Sequence, residues 1–577
     1  MRRKLVSTVL LCTMGVGMLS GCGSTGTAAD MQKSDTNATS QSADASAAAS
    51  DDFSSPLKIS AWVHTDDNND GYLANTNENP VISYLSKKFN VTFDWQIPAV
   101  GSETEQLNLM LGSGDYTDVF DTTFSQQTCQ ELYDSGVIQD LTPYVEKYMP
   151  NYTKYINSNE TVKKSAYTDD GKIVYIPDAK NEPTANWGGL MYNRKLLENV
   201  TGGKISFPSG KDEPTTIDDW DYMLGLMKQY YDQKGLKDYA CLILPAAGYF
   251  TTGDILTGFG TTGSYYVDAQ KKVQSGILTD QFYNYLVKMK DWYQKGYIYQ
   301  DFASRSSDPF YFPNQALTYS GSAGIFYGLD AQLGTAMSSK DNGIDVDYHA
   351  LTAPLDTQNN ATALPANGMV NTNEASDVFG AGWVVSSSCS EEKLIRWLKL
   401  CDYLFSDEGS MMKSYGLTKE QAGDNAIYKK LGMQDGAYWF DADGNFTYNP
   451  VSDPFAASVK VKENQLRIAR FPGMTNNTYY NQKTSDTLKD ADKIWISNGY
   501  SACIPAGVTL TTQESKDLAP LSTAATDYID SMVPKFIMGT EKLDKDSFAQ
   551  FEDKVRSLGM DQCLKIEQTA YDRYMTK

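Results

Sequence analysis

The sequence predicts an α/β protein of at least two lobes. Between Leu57 and Phe120, short apolar or alternating runs exchange with helical stripes, the pattern of a mostly parallel sheet covered by helices. The roughly 520 residues beyond position 55 exceed what one hydrophobic core holds. No fixed-period internal repeat is present.

The elements follow in chain order. Arg2, Arg3 and Lys4 form a positive start, and an apolar run from Leu5 to Met18 follows it. That run is short for a membrane span and ends in small residues, as a signal peptide does. Its junction, Leu19-Ser20-Gly21-Cys22, resembles the lipobox of bacterial lipoproteins, which implies cleavage before Cys22 and lipid on its sulfur. Gly23 to Ser55 is Ser, Ala, Thr, Asp and Gly with almost no large apolar residue, so it is expected to be a disordered tether.

Leu57 to Val63 alternates after Pro56 and predicts a strand. Asn79 as N-cap with Pro80 behind it predicts a helix carrying Val81, Ile82, Leu85 and Phe89 on one face. Val91 to Trp95 predicts a second strand. Ser102 and Glu105 predict a capping box before Leu107, Met110 and Leu111. Asp118-Val119-Phe120 predicts a short buried strand. Thr216 caps a stripe of Ile217, Trp220, Leu224, Met227 and Tyr231. Two further stripes run through Phe282, Tyr285, Leu286, Met289, Trp292 and Tyr293, and through Leu394, Trp397, Leu398, Cys401, Leu404 and Phe405. Their spacing assigns those rings to helix cores.

Composition excludes several functions. A net charge of −22 opposes nucleic acid and anionic membrane surfaces. No Walker A sequence, G-x-S-x-G elbow or H-E-x-x-H occurs, and the two histidines, His64 and His349, sit in no recognisable triad context. A glycosidase needs only two carboxylates about 5 to 9 Å apart, and no segment singles out such a pair. Cys129, Cys241, Cys389, Cys401, Cys503 and Cys563 form no C-x-x-C. Export permits disulfides; Cys401 reads as core, and spacing pairs none of the others.

Several segments together resemble extracellular solute-binding lipoproteins of ABC importers, in particular the carbohydrate-type, family 1-like proteins of Gram-positive bacteria. They are "EQLNLMLGSGDYTDVF" (105–120), "SGVIQDLTPYVEKYMPN" (135–151), "DDGKIVYIP" (169–177), "GLMYNRKLLENV" (189–200), "PTTIDDWDYML" (214–224), "CSEEKLIRWLKLCDYLFSDEGSMMKSYG" (389–416) and the stretch from Lys535 to Tyr574. Their shared order spans nearly the whole chain after the tether. The family's glycine-glutamate-glycine turn is replaced by "YGLTKEQAGDN", which leaves the trace from Leu417 to Asn449 open.

The resemblance implies a two-lobed periplasmic-binding-protein-like fold (type II), with hinged lobes and a ligand cleft. It implies residues 1–22 as lipoprotein signal peptide, 23–55 as tether, 56–176 as the first part of lobe 1 and 177–378 as the first part of lobe 2. Residues 379–450 return to lobe 1, and 451–577 cross back to pack mainly on lobe 2. It implies a monomer held on the outer face of the cell membrane by Cys22, capturing a solute by lobe closure for an ABC permease. The expected solute is an oligosaccharide, since pyranose faces stack on rings and aromatic residues make up 12% of the chain. Peptide or another small solute in the same fold is the alternative, and a surface glycan-degrading enzyme is a third reading. No catalytic residue, nucleic acid or cofactor is expected.

Position within this fold nominates the contacts. Trp62 ends the first strand and Asp66 lies in the loop after it. Asp121, Thr122 and Thr123 follow the strand ending at Phe120. Trp187 falls just past the first crossing, Tyr249 and Phe250 in a Gly-flanked loop, Tyr319 and Tyr327 beside small residues, and Trp383 at the second crossing. "TDDNNDGY" (65–72) also matches the opening of an EF-hand loop through Asp66, Asn68, Asp70 and Gly71. Its twelfth position is Asn77 rather than an acid, and a strand rather than a helix precedes it, so calcium through Asp66, Asn68 and Asp70 is set below both a plain solvated Asx-turn loop and a rim of the binding cleft.

Overall fold

The computed structural model describes residues 53–577 except 65–72, 74, 126, 183–187, 245–254, 305–314, 330–342, 365–381, 454–465, 469, 484–485, 497–503 and 506. Its strands in chain order are β1 (Leu57–Trp62), β2 (Val91–Gln96), β3 (Val119–Asp121), β4 (Asp178–Lys180), β5 (Gly188–Asn193), β6 (Ala240–Leu242), β7 (Tyr265–Val267), β8 (Val273–Ser275), β9 (Ala323–Leu329), β10 (Tyr348–Leu351), β11 (Trp383–Val385), β12 (Tyr438–Phe440), β13 (Phe446–Tyr448) and β14 (Gly473–Thr475). Two four-stranded sheets organise them, one ordered β11-β3-β1-β2 and the other β10-β5-β9-β6. Each carries its own buried core, so the α/β, two-lobed expectation holds.

In lobe 1, β1 lies parallel to β2 over six residue pairs, from Leu57 against Val91 to Trp62 against Gln96. The side chain of Asn79 accepts the N–H groups of Val81 and Ile82, Pro80 opens the helix, and Asn90 closes it with φ of 48°. Ser102 departs from expectation. Its backbone is not extended, so its hydroxyl turns back to donate to the Ala99 carbonyl (2.7 Å) and does not reach the third helical N–H. Glu103, not Glu105, reaches back, accepting the N–H of Gly101. The stripe on the helix Glu391–Leu404 faces this core, where Trp397 touches the rings of Phe93, Trp383 and Phe471. The stretch left open by the sequence belongs here too: Leu417, Tyr428, Met433, Tyr438, Phe446 and Tyr448 are buried in the same cluster.

In lobe 2, Thr216 caps the helix Ile217–Lys234 in a capping box with Asp219. Burial pushes the Asp219 carboxyl up, but the N–H groups of Thr215, Ser209 and Thr216 outweigh it and hold the group below the usual carboxylate range. Trp220 of this helix stacks on Trp292 of the helix Asp280–Gln294 at 5.9 Å. The closing helices Thr512–Met538, Lys545–Ser557 and Met560–Met575 complete that core through Val533, Phe536, Phe551 and Cys563. Trp495 seals the other face of the lobe 2 sheet and needs Gly189 beneath it: a Cβ there would sit 2.4 Å from the indole. Cys129, Cys241, Cys389, Cys401 and Cys563 are buried free thiols, and Cys503 lies outside the described residues. No helix among the described residues is long and apolar enough to cross a membrane.

On edge strand β10, the ring of His349 sits between Asp347 Oδ2 (3.2 Å) and Glu213 Oε1 (3.1 Å). Both nitrogens face carboxylates, which favours the cation. The hydrogen bond to Asp347, followed by that to Glu213, raises the pKa to about 9 against the opposing effect of burial. A raised folded pKa contributes stability that is complete below about 6.5 and is lost as pH climbs through about 9. Because His64 is the chain's other histidine, an NMR titration with His349→Gln as assignment control is expected to show one imidazole titrating near 9. The unfolding midpoint should fall more between pH 7 and about 10 in the native protein than in that variant. A midpoint near 6.5 for His349 removes the account.

Candidate ligand-binding cleft

Strand direction collects the carboxyl ends at one edge of each sheet. In lobe 1, β1, β2 and β3 run parallel and end at Trp62, Gln96 and Asp121. β11 runs against β3, so its first residue, Trp383, pairs with Asp121 at that same edge. In lobe 2, β6 runs parallel to β9, while β5 runs against it and places Gly188 opposite Leu329. The crossing chain leaves the first edge beside Ile176, which bridges Trp383, passes through β4 and enters β5 at the second edge. Both edges therefore border the gap the crossing spans, where open α/β sheets hold ligands.

Of the nominated residues, Trp62, Asp121, Thr122 and Trp383 lie on the lobe 1 edge. Tyr327, paired with Leu190, lies two residues from the end of β9. Asp66, Asn68, Asp70, Trp187, Tyr249 and Phe250 are outside the described residues. In sequence they flank β1, β5 and β6 on the sides that face these edges. Trp383 is 1% exposed, packed on Trp397 and Phe471, and its indole N–H donates to the Arg470 carbonyl. Tyr327 is also 1% exposed. Tyr319 is half-buried against the lobe 2 sheet.

At the lobe 1 edge, Asp121 is a buried carboxylate. Its Oδ1 accepts the N–H (2.9 Å) and hydroxyl (2.7 Å) of Thr123. Its Oδ2 lies 2.5 Å from Nδ1 of His64, itself 2% exposed and edge-on to the Phe124 ring, but the contact is out of hydrogen-bond alignment. The Thr122 hydroxyl donates to the Gly382 carbonyl and accepts the Gly382 N–H, tying β3 to β11. Thr122 also meets Cys129, whose thiol burial pushes up to about 12. Sequence reasoning passed over His64 because its partner lies in another strand and no local motif marks the pair. Among the described residues, no three His, Cys, Asp or Glu side chains gather as a metal site.

Beside the ends of β1 and β2 a groove of about 540 Å³ opens between β2 and the helix Glu103–Ser113. Trp62, 3% exposed, borders it from the core, the exposed Ile97 and Leu109 supply apolar wall, and Gln96, Gln106, Ser113 and Asp115 contribute amide, hydroxyl and carboxylate groups. Polar side chains that line a groove beside apolar ones suit a small polar solute.

Residues 83–419 match the family of bacterial extracellular solute-binding proteins. The chain belongs to that family. Solved structures share its fold. An extracellular solute-binding protein from Bifidobacterium longum subsp. infantis aligns with a TM-score of 0.67 at 16% identity, over 90% of this chain and 99% of that one. An HMO-binding, ABC-transporter-associated solute-binding protein from Bifidobacterium longum infantis gives 0.66 at 16%, with the same coverage. The S. pneumoniae ABC-transporter substrate-binding protein FusA, in complex with kestose, gives 0.62 at 16%, again over 90% and 99%. No curated protein sequence matches the chain.

In a solute-binding protein the lobe 1 edge must keep its shape whether or not solute is present, and Asp121 is the group that several others depend on there. Asp121→Ala leaves Thr123 without its acceptor and His64 without its neighbouring carboxylate. It is expected to lower stability by about 1–3 kcal/mol in chemical denaturation. A loss below about 0.5 kcal/mol, the range of a neutral surface change, counts against this role.

Proposed function

We propose that this protein is the solute-capturing lipoprotein of an ABC importer and that its solute is a neutral oligosaccharide. The observation that carries the reading is the groove beside the carboxyl ends of β1 and β2. Its rim of Gln96, Gln106, Ser113 and Asp115 suits the hydroxyl edges of a pyranose, and the exposed Ile97 and Leu109 supply apolar surface for its C–H faces. Two structural relatives support the sugar assignment by what they bind, HMO in one and kestose in the other. The net charge of −22 disfavours polyanionic glycans.

On this reading Trp62, Asp121 and Thr122 shape the lobe 1 edge of the cleft, Tyr327 and Trp383 brace the edges by packing, and Asp66, Trp187, Tyr249 and Phe250 are the further expected contacts. The 65–72 segment acts as cleft rim and not as a calcium loop. Binding draws the lobes together by shifting a population towards the closed form. The permease reads that form, no bond is broken, and lipid on Cys22 keeps the protein at the outer membrane face.

A thermal-shift screen against neutral oligosaccharides, acidic glycans and peptides tests the assignment. A solute at about 100 times its Kd stabilises the native state by about 2.7 kcal/mol, so a neutral oligosaccharide should raise the melting temperature by several degrees without being hydrolysed. A shift with peptides alone, or product release from the glycan, overturns it.

A further inference from the structure

Two of the chain's passages between the lobes, those through β4 and β14, are held by one buried cation. β4 and β14 pair in parallel over three residues, Asp178 with Gly473, Ala179 with Met474 and Thr475 with Lys180. A ladder this short has little stability of its own. Lys413, on the helix Asp407–Tyr415 of lobe 1, reaches into it with a fully buried side chain. Its ammonium donates to Asp178 Oδ1 (2.7 Å) and to the Thr475 hydroxyl (2.5 Å), and that hydroxyl donates to the same Asp178 oxygen (2.7 Å). The triangle joins a lobe 1 helix to both crossings at once.

The next two residues of the helix extend the grip. The Ser414 hydroxyl accepts the Asn476 N–H, and the Tyr415 hydroxyl donates to the Asn476 carbonyl and accepts the N–H groups of Tyr479 and Tyr480. The crossings also bond each other past the ladder: Asn181 N–H to the Thr475 carbonyl, Asn477 N–H to Asn181 Oδ1, and the Thr478 hydroxyl to the Glu182 carboxylate. At the start of β14, Gly473 has φ of 143° and lies so close to the helix Glu391–Leu404 that a Cβ would sit 2.6 Å from the Leu404 Cβ. From Asp178 to Glu182 and from Gly473 to Tyr480, the hydrogen bonds run to lobe 1 or between the crossings.

We propose that Lys413 splices β4 and β14 onto lobe 1, so that these two strands stay with lobe 1 as one body when the lobes turn and do not themselves flex. Buried ion pairs contribute little net stability but can fix one geometry, and here the geometry fixed is the base of the hinge.

Hydrogen exchange on the full chain without solute tests this, independently of which solute binds. Lys413→Met, and the milder Thr475→Val that keeps shape and removes only the hydroxyl, are expected to speed exchange of amides 178–182 and 473–477 by about tenfold or more while β1 and β5 keep their protection. Small-angle scattering should show a wider spread of lobe separations in both variants. If Lys413→Met does not fold, Thr475→Val decides alone. Unchanged exchange at the crossings, or equal acceleration throughout lobe 1, overturns the proposal.

Discussion

Three paired residues on each of two crossing chains are all the sheet that joins the lobes among the described residues. That short ladder, together with the ion pairs of Arg573 and Lys577 to Asp169, is the constraint on which the rest of the molecule depends. Each lobe must be stable by itself, so each builds a separate sheet, a separate set of buried aromatics and its own capped helices. The gap between them is left to motion, and its walls are the sheet edges where strand ends leave backbone groups and loops available to a solute.

Those edges explain how little of the site can be local. Trp62, Asp121 and Trp383 come together because β1, β3 and β11 pair, not because of any motif. Orientation by strand direction is general, so every strand end in such a protein offers a candidate contact. Trp62, Trp383 and Tyr327 are all packed at the edge, and it is the groove beside Trp62 that presents a polar rim.

The helices were readable in the sequence because each stripe answers to one buried face, and the caps at Asn79 and Thr216 because their partners lie within three residues. Ser102 was misread because its sequence fits a cap while the preceding turn holds its backbone out of reach. Lys413 was invisible for a different reason. On a helix it looks like any solvated lysine, and only the return of residues 473–480 buries it. His64 and Asp121 likewise meet through strand pairing, which no period in the sequence reports.

The path of the chain also bears on how it is made. Asn79 donates to the Arg467 carbonyl, and Trp495 of the late chain donates to the Leu190 carbonyl. Lobe 1 therefore lacks part of its core until residues beyond 470 are available, and lobe 2 waits for the helices that end at Met575. Such long separations make folding slow, and neither lobe can finish while the tail is still being synthesised.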